Sequence, residues 1–372
     1  MQLVQVDTSN RSQVGQFLRL PFDLYRDVPQ WVPPLASDAR RMLDRRRHPF
    51  YRNSDAAFFL VVDDGRAIGR IAVLDNAPYN TFNRERTAFF YLLESAEDGG
   101  VAAALFDAAS TWARARGLNR LIGPRGFSIF DGLGLLVRGF EHRPAFGLPY
   151  NLPYYPALVE AAGFVGTEDI VSGYLTATMA FPERIHRLSE LAQQRRGLHI
   201  ARCRHRRDLR AIIPKLTDLY NGALGSDSGG APLTAEDVRG IADQMLWFAD
   251  PRLIKIVMKG DEPVGFLFAY PDVSAALQRT KGRLFPLGWF HLWRELKRTR
   301  WINVNGAGVV EQYRGLGGTA ILFSEMYKSI VEEGYLYADL VQIGVENDKM
   351  QRELQGFGID FYKMHRMYKR LL

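Results

Sequence analysis

Apolar positions along this chain recur in two rhythms, and the change from one to the other marks its elements. Over residues 301–310 (Trp301-Ile302-Asn303-Val304-Asn305-Gly306-Ala307-Gly308-Val309-Val310) aromatic and β-branched side chains alternate with small or polar ones, the period of a strand. Residues 319–333 switch to the helical period, with Ile321, Leu322, Met326, Ile330 and Val331 on one stripe, and Gly334 supplies the stop. Residues 335–345 read as the next strand. Glu346-Asn347 opens a short helix through Leu354, Gly356-Phe357 closes it, and residues 361–368 alternate as a final strand.

The same order is visible earlier. Residues 3–6 predict a strand, 12–25 a helix, and 56–62 with 66–76 a hairpin around Asp63-Asp64-Gly65. A strand at 87–93, a helix at 101–116, a strand at 120–123 and a helix at 151–162 follow, the last ended by Gly163-Phe164. Residues 182–197 are polar and helix-forming, opened by Pro182 and stopped by Gly197. Beyond them come a strand-like piece at 200–202, a helix at 208–219 and another at 234–248, whose Thr234-Ala235-Glu236-Asp237 has the look of an N-cap with acids in the first turn. Residues 253–258 and 262–269 form a hairpin around Gly260-Asp261. Each half thus ends a short helix in Gly-Phe, which predicts two copies of one α/β unit. We place the units at residues 1–180 and 198–372, joined by a linker helix at 181–197.

Composition narrows the class without naming a function. With 372 residues, 47% of them hydrophobic, each half is long enough to bury its own core. No apolar run reaches the about 18 residues a membrane span requires, and the N-terminus has no charged region leading into an apolar one. The single cysteine, Cys203, rules out an internal disulfide and fits a reducing, cytoplasmic setting; its basic surroundings would lower a thiol pKa, but a structural role is the simpler reading. The net charge of +7 suits a polyanionic ligand without choosing one, and the basic run Arg40 to His48 reads first as a solvated helix face.

Between the strand and the helix of the C-terminal half stands Gln312-Tyr313-Arg314-Gly315-Leu316-Gly317-Gly318. A glycine-rich turn from strand to helix leaves backbone N–H groups free and aims them, with the helix dipole, at an anion. The spacing is Gln-x-x-Gly-x-Gly, neither the dinucleotide fingerprint nor a Walker loop. It resembles the acyl-CoA diphosphate loop of the GNAT acyltransferase superfamily, and the strand–loop–helix–strand–short helix–Gly-Phe–strand order over residues 300–372 is similar to that family's closing segment. The whole chain resembles the bacterial tandem-domain GNAT proteins. Trp31-Val32-Pro33-Pro34-Leu35, Gly69-Arg70-Ile71, residues 132–140, Tyr150-Asn151-Leu152-Pro153-Tyr154-Tyr155 and residues 282–288 belong with that likeness.

The resemblance implies an α/β (α+β) fold of two tandem GNAT-like domains, each a mixed, mostly antiparallel twisted sheet with helices on both faces. It further implies an N-acyltransferase that takes its acyl group from acetyl-CoA or another acyl-CoA and passes it to an amine by direct attack in a cleft between the domains. Its fourth and fifth strands splay apart around the pantetheine arm. A backbone N–H at Val309 or Val310 then polarises the thioester carbonyl, and Gln312, Arg314, Gly315, Leu316, Gly317, Gly318 and Thr319, with Asn347, bind the cofactor. The first copy instead carries Ser95-Ala96-Glu97-Asp98-Gly99-Gly100, whose carboxylates would repel a diphosphate, so this unit is read as degenerate.

Proton transfer is where the chain departs from the family. Arg352 stands at the position of the family's general-acid tyrosine, and Asn303 and Asn305 occupy the neighbourhood of its fourth-strand glutamate. Tyr362 or Tyr313 as acid, and Glu346, Asp339 or Glu311 as base, are the candidates left, each with a plain structural reading as cap or strand-face group. For acceptor binding the candidates are Phe127, Ser128 and Asp131 in the glycine- and aromatic-rich loop after residue 123, together with Tyr150, Asn151, Asn303 and Asn305. Residues 284–293, backed by Arg294, Lys297, Arg298 and Arg300, read as a buried interface helix, a lid over an apolar acceptor, or a basic amphipathic membrane patch. A small-molecule or peptide amine is the expected partner, with no nucleic acid, no metal, and a homodimer left open. The missing tyrosine and glutamate motivate a non-catalytic acyl-CoA sensor or scaffold as the rival reading; an aminoacyl-tRNA-dependent transferase ranks below it.

Overall fold

The computed structural model describes the chain except for residues 129–130, 180, 202, 204, 225–229, 247–248, 346–353 and 357–358, and describes residues 241–246 by backbone alone. Glu346, Asn347 and Arg352, and the short helix expected to start at Glu346, lie outside the described residues.

The first half runs β1 (Gln2–Gln5), α1 (Arg11–Leu24), α2 (Ala36–Met42), β2 (Asp55–Asp63), β3 (Arg66–Asp75), α3 (Ala77–Asn83), β4 (Thr87–Ser95), α4 (Gly99–Arg114), β5 (Arg120–Gly123), β6 (Leu135–Arg138), α5 (Tyr155–Ala161) and β7 (Val165–Thr176). Local chemistry sets these boundaries. Asn10 caps α1 by accepting from the amides of Ser12 and Gln13, and the β2–β3 turn takes Asp64 and Gly65 at φ 46 and 74, the left-handed pair a two-residue hairpin needs.

The second half follows with α6 (Glu183–Arg196), β8 (Leu198–Ile200), α7 (Arg206–Leu224), α8 (Ala235–Leu246), β9 (Ile254–Lys259), β10 (Glu262–Pro271), α9 (Ser274–Thr280), α10 (Gly288–Arg298), β11 (Trp301–Val309), α11 (Gly318–Glu332), β12 (Tyr337–Gly344) and β13 (Asp360–Leu371). The fold is the mixed α/β one expected. Among the described residues only β4 with β5 and β11 with β12 pair in parallel.

The 13 strands of the described residues join one sheet, in the order β1-β2-β3-β4-β5-β13-β7-β12-β11-β10-β9-β8, with β6 on β13. The last strand of each half has changed places: β13 pairs with β5 of the first half, β7 pairs with β12 of the second, and the two pair with each other. Helices cover both faces. In the second half α6 and α11 pack on one side over Ile302, Leu340, Ile321 and Met326, and α7 packs on the other over Ile256 and Phe266. In the first half α4 and α1 cover opposite faces, around Phe106 and Phe17. The rhythm-based reading missed β6 and β7. The first five residues of β7 are largely solvent-facing and include Gly166, Glu168 and Asp169, so no apolar alternation announces them.

Candidate functional site

β11 and β12 are neighbours only where Trp301–Val304 lie beside Tyr337–Leu340. Beyond that point β11 runs on to Val309 with β10 alone, so the edge that should carry β12 is open. The register decides which groups face the opening. Val310 donates its N–H to the Val264 carbonyl, making 264 and 310 a hydrogen-bonded pair, so Val309 and Ala307 turn their N–H and C=O away from β10. Of the two amides expected near the thioester, the one at Val310 is already taken; Val309 is the one that faces the opening.

The chain then bends into α11. Gly315 and Gly317 adopt φ 76 and 91, conformations that cost a Cβ-bearing residue about 1–2 kcal/mol. The amides of Gly315, Gly317, Gly318, Thr319 and Ala320 have no hydrogen-bond partner among the described residues, and no side chain caps the helix. Five N–H groups at one helix start form an anion nest. The bend is not plugged: a Cβ built on Gly315 meets nothing within 4 Å, whereas one on Gly317 would stand 2.6 Å from Ala192 of α6, so glycine there lets the two helices close up. Arg196 of α6 reaches the Gly315 carbonyl at 3.1 Å and adds a cation that sequence reasoning did not find. Arg314 does not face the nest. Its guanidinium folds back on the carbonyls of Val309 at 3.2 Å and Ala223 at 3.0 Å. Gln312 is exposed at the rim, and the Leu316 amide is spent on Tyr313.

The corresponding places in the first half are filled. Asp98 accepts from the amides of Gly100 and Val101 and so occupies the start of α4. Arg125 donates its amide to Phe90, Tyr155 accepts from the Ser95 amide at 3.0 Å, and Tyr154 donates to the Ser95 carbonyl at 2.7 Å, closing the end of β4.

On the face opposite α11, one cross-strand row runs from Tyr270 to Asn303, Asp339, Tyr174 and Asp360. Its centre is buried and polar. Tyr362 donates to Asp339 Oδ2 at 2.7 Å, and Lys363 Nζ lies 3.1 Å from the same oxygen and 3.0 Å from the Arg143 carbonyl. Asp339 is 2% exposed and its Oδ1 has no partner among the described residues. Burial pushes the Asp339 carboxyl up and the Lys363 ammonium down, each effect opposed by the other's charge. The same burial, reinforced by the Asp339 charge, pushes the Tyr362 phenol far up, so it keeps its proton. Beside them Asp272 accepts from Asn303 at 3.2 Å, Ser274 at 2.6 Å and Arg143 at 3.0 Å, and Asn305 donates to the Tyr270 hydroxyl. Lys363, Asp272 and Arg143 carry no sequence motif; a lysine in an alternating strand looks like a solvent-facing residue.

The insertion between β5 and α5 supplies the roof. Gln342 of β12, at φ 55, grips both the amide and the carbonyl of Leu133, and the Phe146 amide points at Asp272. Several expected acceptor ligands have other duties. Phe127 is buried among Phe50, Tyr51 and Phe58, leaving it no face for a substrate, and Asn151 is spent on Leu136, pinning β6. Asp131 accepts from the Ser128 amide and closes the loop, its carboxyl pushed up to about 6 by burial. Tyr150 donates to the Phe140 carbonyl. Of the other candidates, Tyr313 is tied to Glu262 outside this cluster, and Glu311 is exposed. Among the described residues no group of His, Cys, Asp and Glu could hold a metal ion, and no helix is long and apolar enough to cross a membrane.

Residues 22–123 match the acetyltransferase (GNAT) family, so the family signature sits in the first half while the open nest lies in the second. The chain is 29% identical over 290 residues to the bacterial ceramide synthase of Caulobacter vibrioides, covering 76% of this chain and 74% of that one. It is 27% identical over 317 residues to protein YghO of Escherichia coli, covering 82% and 78%. Among solved structures, the tandem GNAT protein from the clavulanic acid biosynthesis pathway aligns with all of this chain and 98% of its own at a TM-score of 0.59 and 13% identity, a likeness of fold. The family match thus lies in the first half, and the likeness of fold to a tandem GNAT protein runs along the whole chain.

Proposed function

We propose that this protein is an acyl-CoA-dependent N-acyltransferase whose donor is held by the second unit (198–372) and whose acceptor enters between it and the first (1–180). The observation that carries the reading is the set of unspent amides from Gly315 to Ala320, at the point where β11 parts from β12. Acyl-CoA would bring an activated thioester acyl group; the residues fit its diphosphate because that nest is built of donors and open at Gly315.

Val309 presents the amide suited to a carbonyl oxygen, worth roughly 3–4 kcal/mol where such a donor meets developing charge. Asp339 Oδ1 is a buried acceptor with no donor among the described residues, the group an incoming amine would satisfy, and its raised carboxyl is matched to taking that amine's proton. Tyr362 and Lys363 act as positioning residues: both bond Oδ2 and so fix the carboxylate with Oδ1 left over for the acceptor. Asn303, Asn305 and the Arg143–Asp272 pair would orient the acceptor's polar end. Glu346 and Asn347 remain candidates from the sequence alone. For the acceptor we favour a long-chain amino lipid over a short amine. A ceramide is an N-acylated long-chain base, and a relative matched over three quarters of this chain bears that name.

The rival, a non-catalytic acyl-CoA sensor, is favoured by the deep burial of Asp339 and by Asn303 in place of a fourth-strand glutamate. Calorimetric titration with acetyl-CoA and a long-chain acyl-CoA, followed by thiol release with a long-chain amino alcohol and with short amines, separates the two. Release with the lipid amine supports the transferase; binding without release under any amine supports the sensor; absence of binding removes both.

A further inference from the structure

β10 and β11 are adjacent antiparallel strands, and such a pair can be joined by a two-residue turn. Here residues 272–300 intervene and build α9 and α10 instead. The inner side of this excursion is conventional: Val273, Ala276 and Leu277 pack with Leu292 and with Leu35. Its outer side is not. Phe285 is 88% exposed, Leu287 66%, Trp289 58% and Trp293 48%, with Phe290 beside them, a continuous aromatic ridge along one edge of α10. Single exposed apolar residues are ordinary, but a contiguous patch of this kind marks a docking surface.

The charge around the ridge identifies what docks. Arg283, Arg294, Lys297 and Arg298 are exposed around it, with Lys281 and Arg300 at the two ends. Glu295 is the sole acid between residues 281 and 300, and Arg279 engages it. Lys297 lays its ammonium 4.1 Å from the Trp293 ring, so its stem runs along the aromatic edge with its charge outward. Tryptophan and phenylalanine on one face, rimmed by arginine and lysine, is the pattern of a helix that lies in the plane of a lipid interface, and a helix of 11 residues is too short to do more. A protein partner would be expected to find a polar rim of mixed sign; this rim is almost wholly cationic and suits anionic headgroups.

We propose that α10, with Phe285 and Leu287, seats the protein on an anionic lipid surface. The seat adjoins the candidate cleft. Phe146 packs in the α9–α10 cluster while its amide points at Asp272 and its carbonyl accepts from Tyr270, and α9 starts two residues after Asp272. Docking therefore brings the polar row within one helical layer of the headgroups, the depth from which the amine end of a lipid would enter. Surface binding itself rests on neither the acyl-transfer reading nor the acceptor, since it needs no CoA and no amine.

The test is sedimentation of the full chain with phosphatidylcholine vesicles containing about a third phosphatidylglycerol, beside phosphatidylcholine alone. Three proteins are compared: wild type, Phe285→Ser/Trp289→Ser/Trp293→Ser, and Arg294→Glu/Lys297→Glu/Arg298→Glu. All the replaced side chains are exposed, so thermal unfolding should be unchanged. Wild type should bind the anionic vesicles at least about tenfold more tightly than the neutral ones, the aromatic variant should lose at least about tenfold, and the charge variant should lose the anionic preference. The proposal is overturned if wild type stays in the supernatant with anionic vesicles, or if the aromatic variant binds them as tightly as wild type. It is equally overturned if equilibrium ultracentrifugation shows a wild-type dimer that the aromatic variant abolishes, which would assign the ridge to a second copy of the chain.

Discussion

Replacing Asp339 by alanine should expose the cost of a stranded ammonium, and pairing that change with a second one separates stability from chemistry. Lys363 is 1% exposed, and its Nζ has two acceptors, Asp339 Oδ2 at 3.1 Å and the Arg143 carbonyl at 3.0 Å. Removing the carboxylate leaves the carbonyl alone to hold a buried charge, a loss of roughly 3–5 kcal/mol. In Asp339→Val/Lys363→Met both charges go together, which by itself is neutral or stabilising by about 1–4 kcal/mol. The half-buried Tyr362 hydroxyl then lacks its acceptor, costing about 1–3 kcal/mol. The double variant should therefore unfold within about 3 kcal/mol of wild type in either direction, because those two effects oppose each other. Urea midpoints followed by tryptophan fluorescence measure this, and thiol release on the same samples measures transfer. The single variant should be both unstable and inactive, the double variant stable and inactive. A single variant within 1 kcal/mol of wild type (about fivefold in the folding constant) would show that the pair is not desolvated as drawn. A double variant that still transfers acyl groups would remove Asp339 from the chemistry.

Three further outcomes are expected. Gly315→Glu places a carboxylate in the anion nest at an exposed site with nothing within 4 Å of the new Cβ, so it should weaken CoA binding in calorimetry by about tenfold or more for about 1–2 kcal/mol of backbone strain; unchanged affinity would move the diphosphate elsewhere. His365 is wholly buried, offers Nε2 to the Pro149 carbonyl and has no partner at Nδ1 among the described residues, and burial pushes its pKa from 6.5 down to about 4. The unfolded chain binds that proton first, so stability is intact above about pH 6.5 and declines toward pH 4, by about 2–3 kcal/mol at pH 4.5, and His365→Gln should flatten this limb of the urea midpoints. Asp98→Ala removes the cap of α4 and should lower the melting temperature by an amount equivalent to about 1 kcal/mol while leaving CoA affinity unchanged; a loss of affinity would mean the first half binds the donor after all.

Much of the fold was legible because local signals suffice for it. The turn at Asp64-Gly65, the stripe of α11 and the glycine bend before it each state their conformation within a few residues. Long-range choices were not. Nothing in β7 or β13 says that each will seek the other half's sheet, since pairing partners across such distances are settled by the whole packing rather than by period. Strand parity was equally hidden: one residue decides whether Val309 or Val310 faces the opening, and only the Val310–Val264 hydrogen bond fixes it. Asn151 and Phe127 sat in a loop rich in glycine and aromatics, a composition shared by binding loops and packed ones, and these two turned inward. Lys363 was invisible for the opposite reason, because a charged residue in an alternating strand normally faces water and this one is covered by the roof around Arg143.

The strand exchange explains why the candidate chemistry sits where it does. In a sheet whose halves kept their own last strands, Asp339 of β12 would lie beside β13 directly; instead β7 stands between them, presenting Tyr174 to Asp339 on one side and to Asp360 on the other. Tyr362 and Lys363 reach across that inserted strand to bond Asp339, so the cluster exists only when both halves are folded together. Two consequences follow from the same geometry. A fragment ending near residue 180 would lack β13, leaving β5 with β4 alone, β6 without its partner, and Tyr155 and Val159 without Tyr368 in the core. And because the sheet is continuous from β1 to β8, the cleft cannot open by hinging one half from the other without breaking a ladder. Access to the polar row must therefore come from its roof, the Leu133–Pro149 segment and the α9–α10 excursion, which is the side that carries the aromatic ridge.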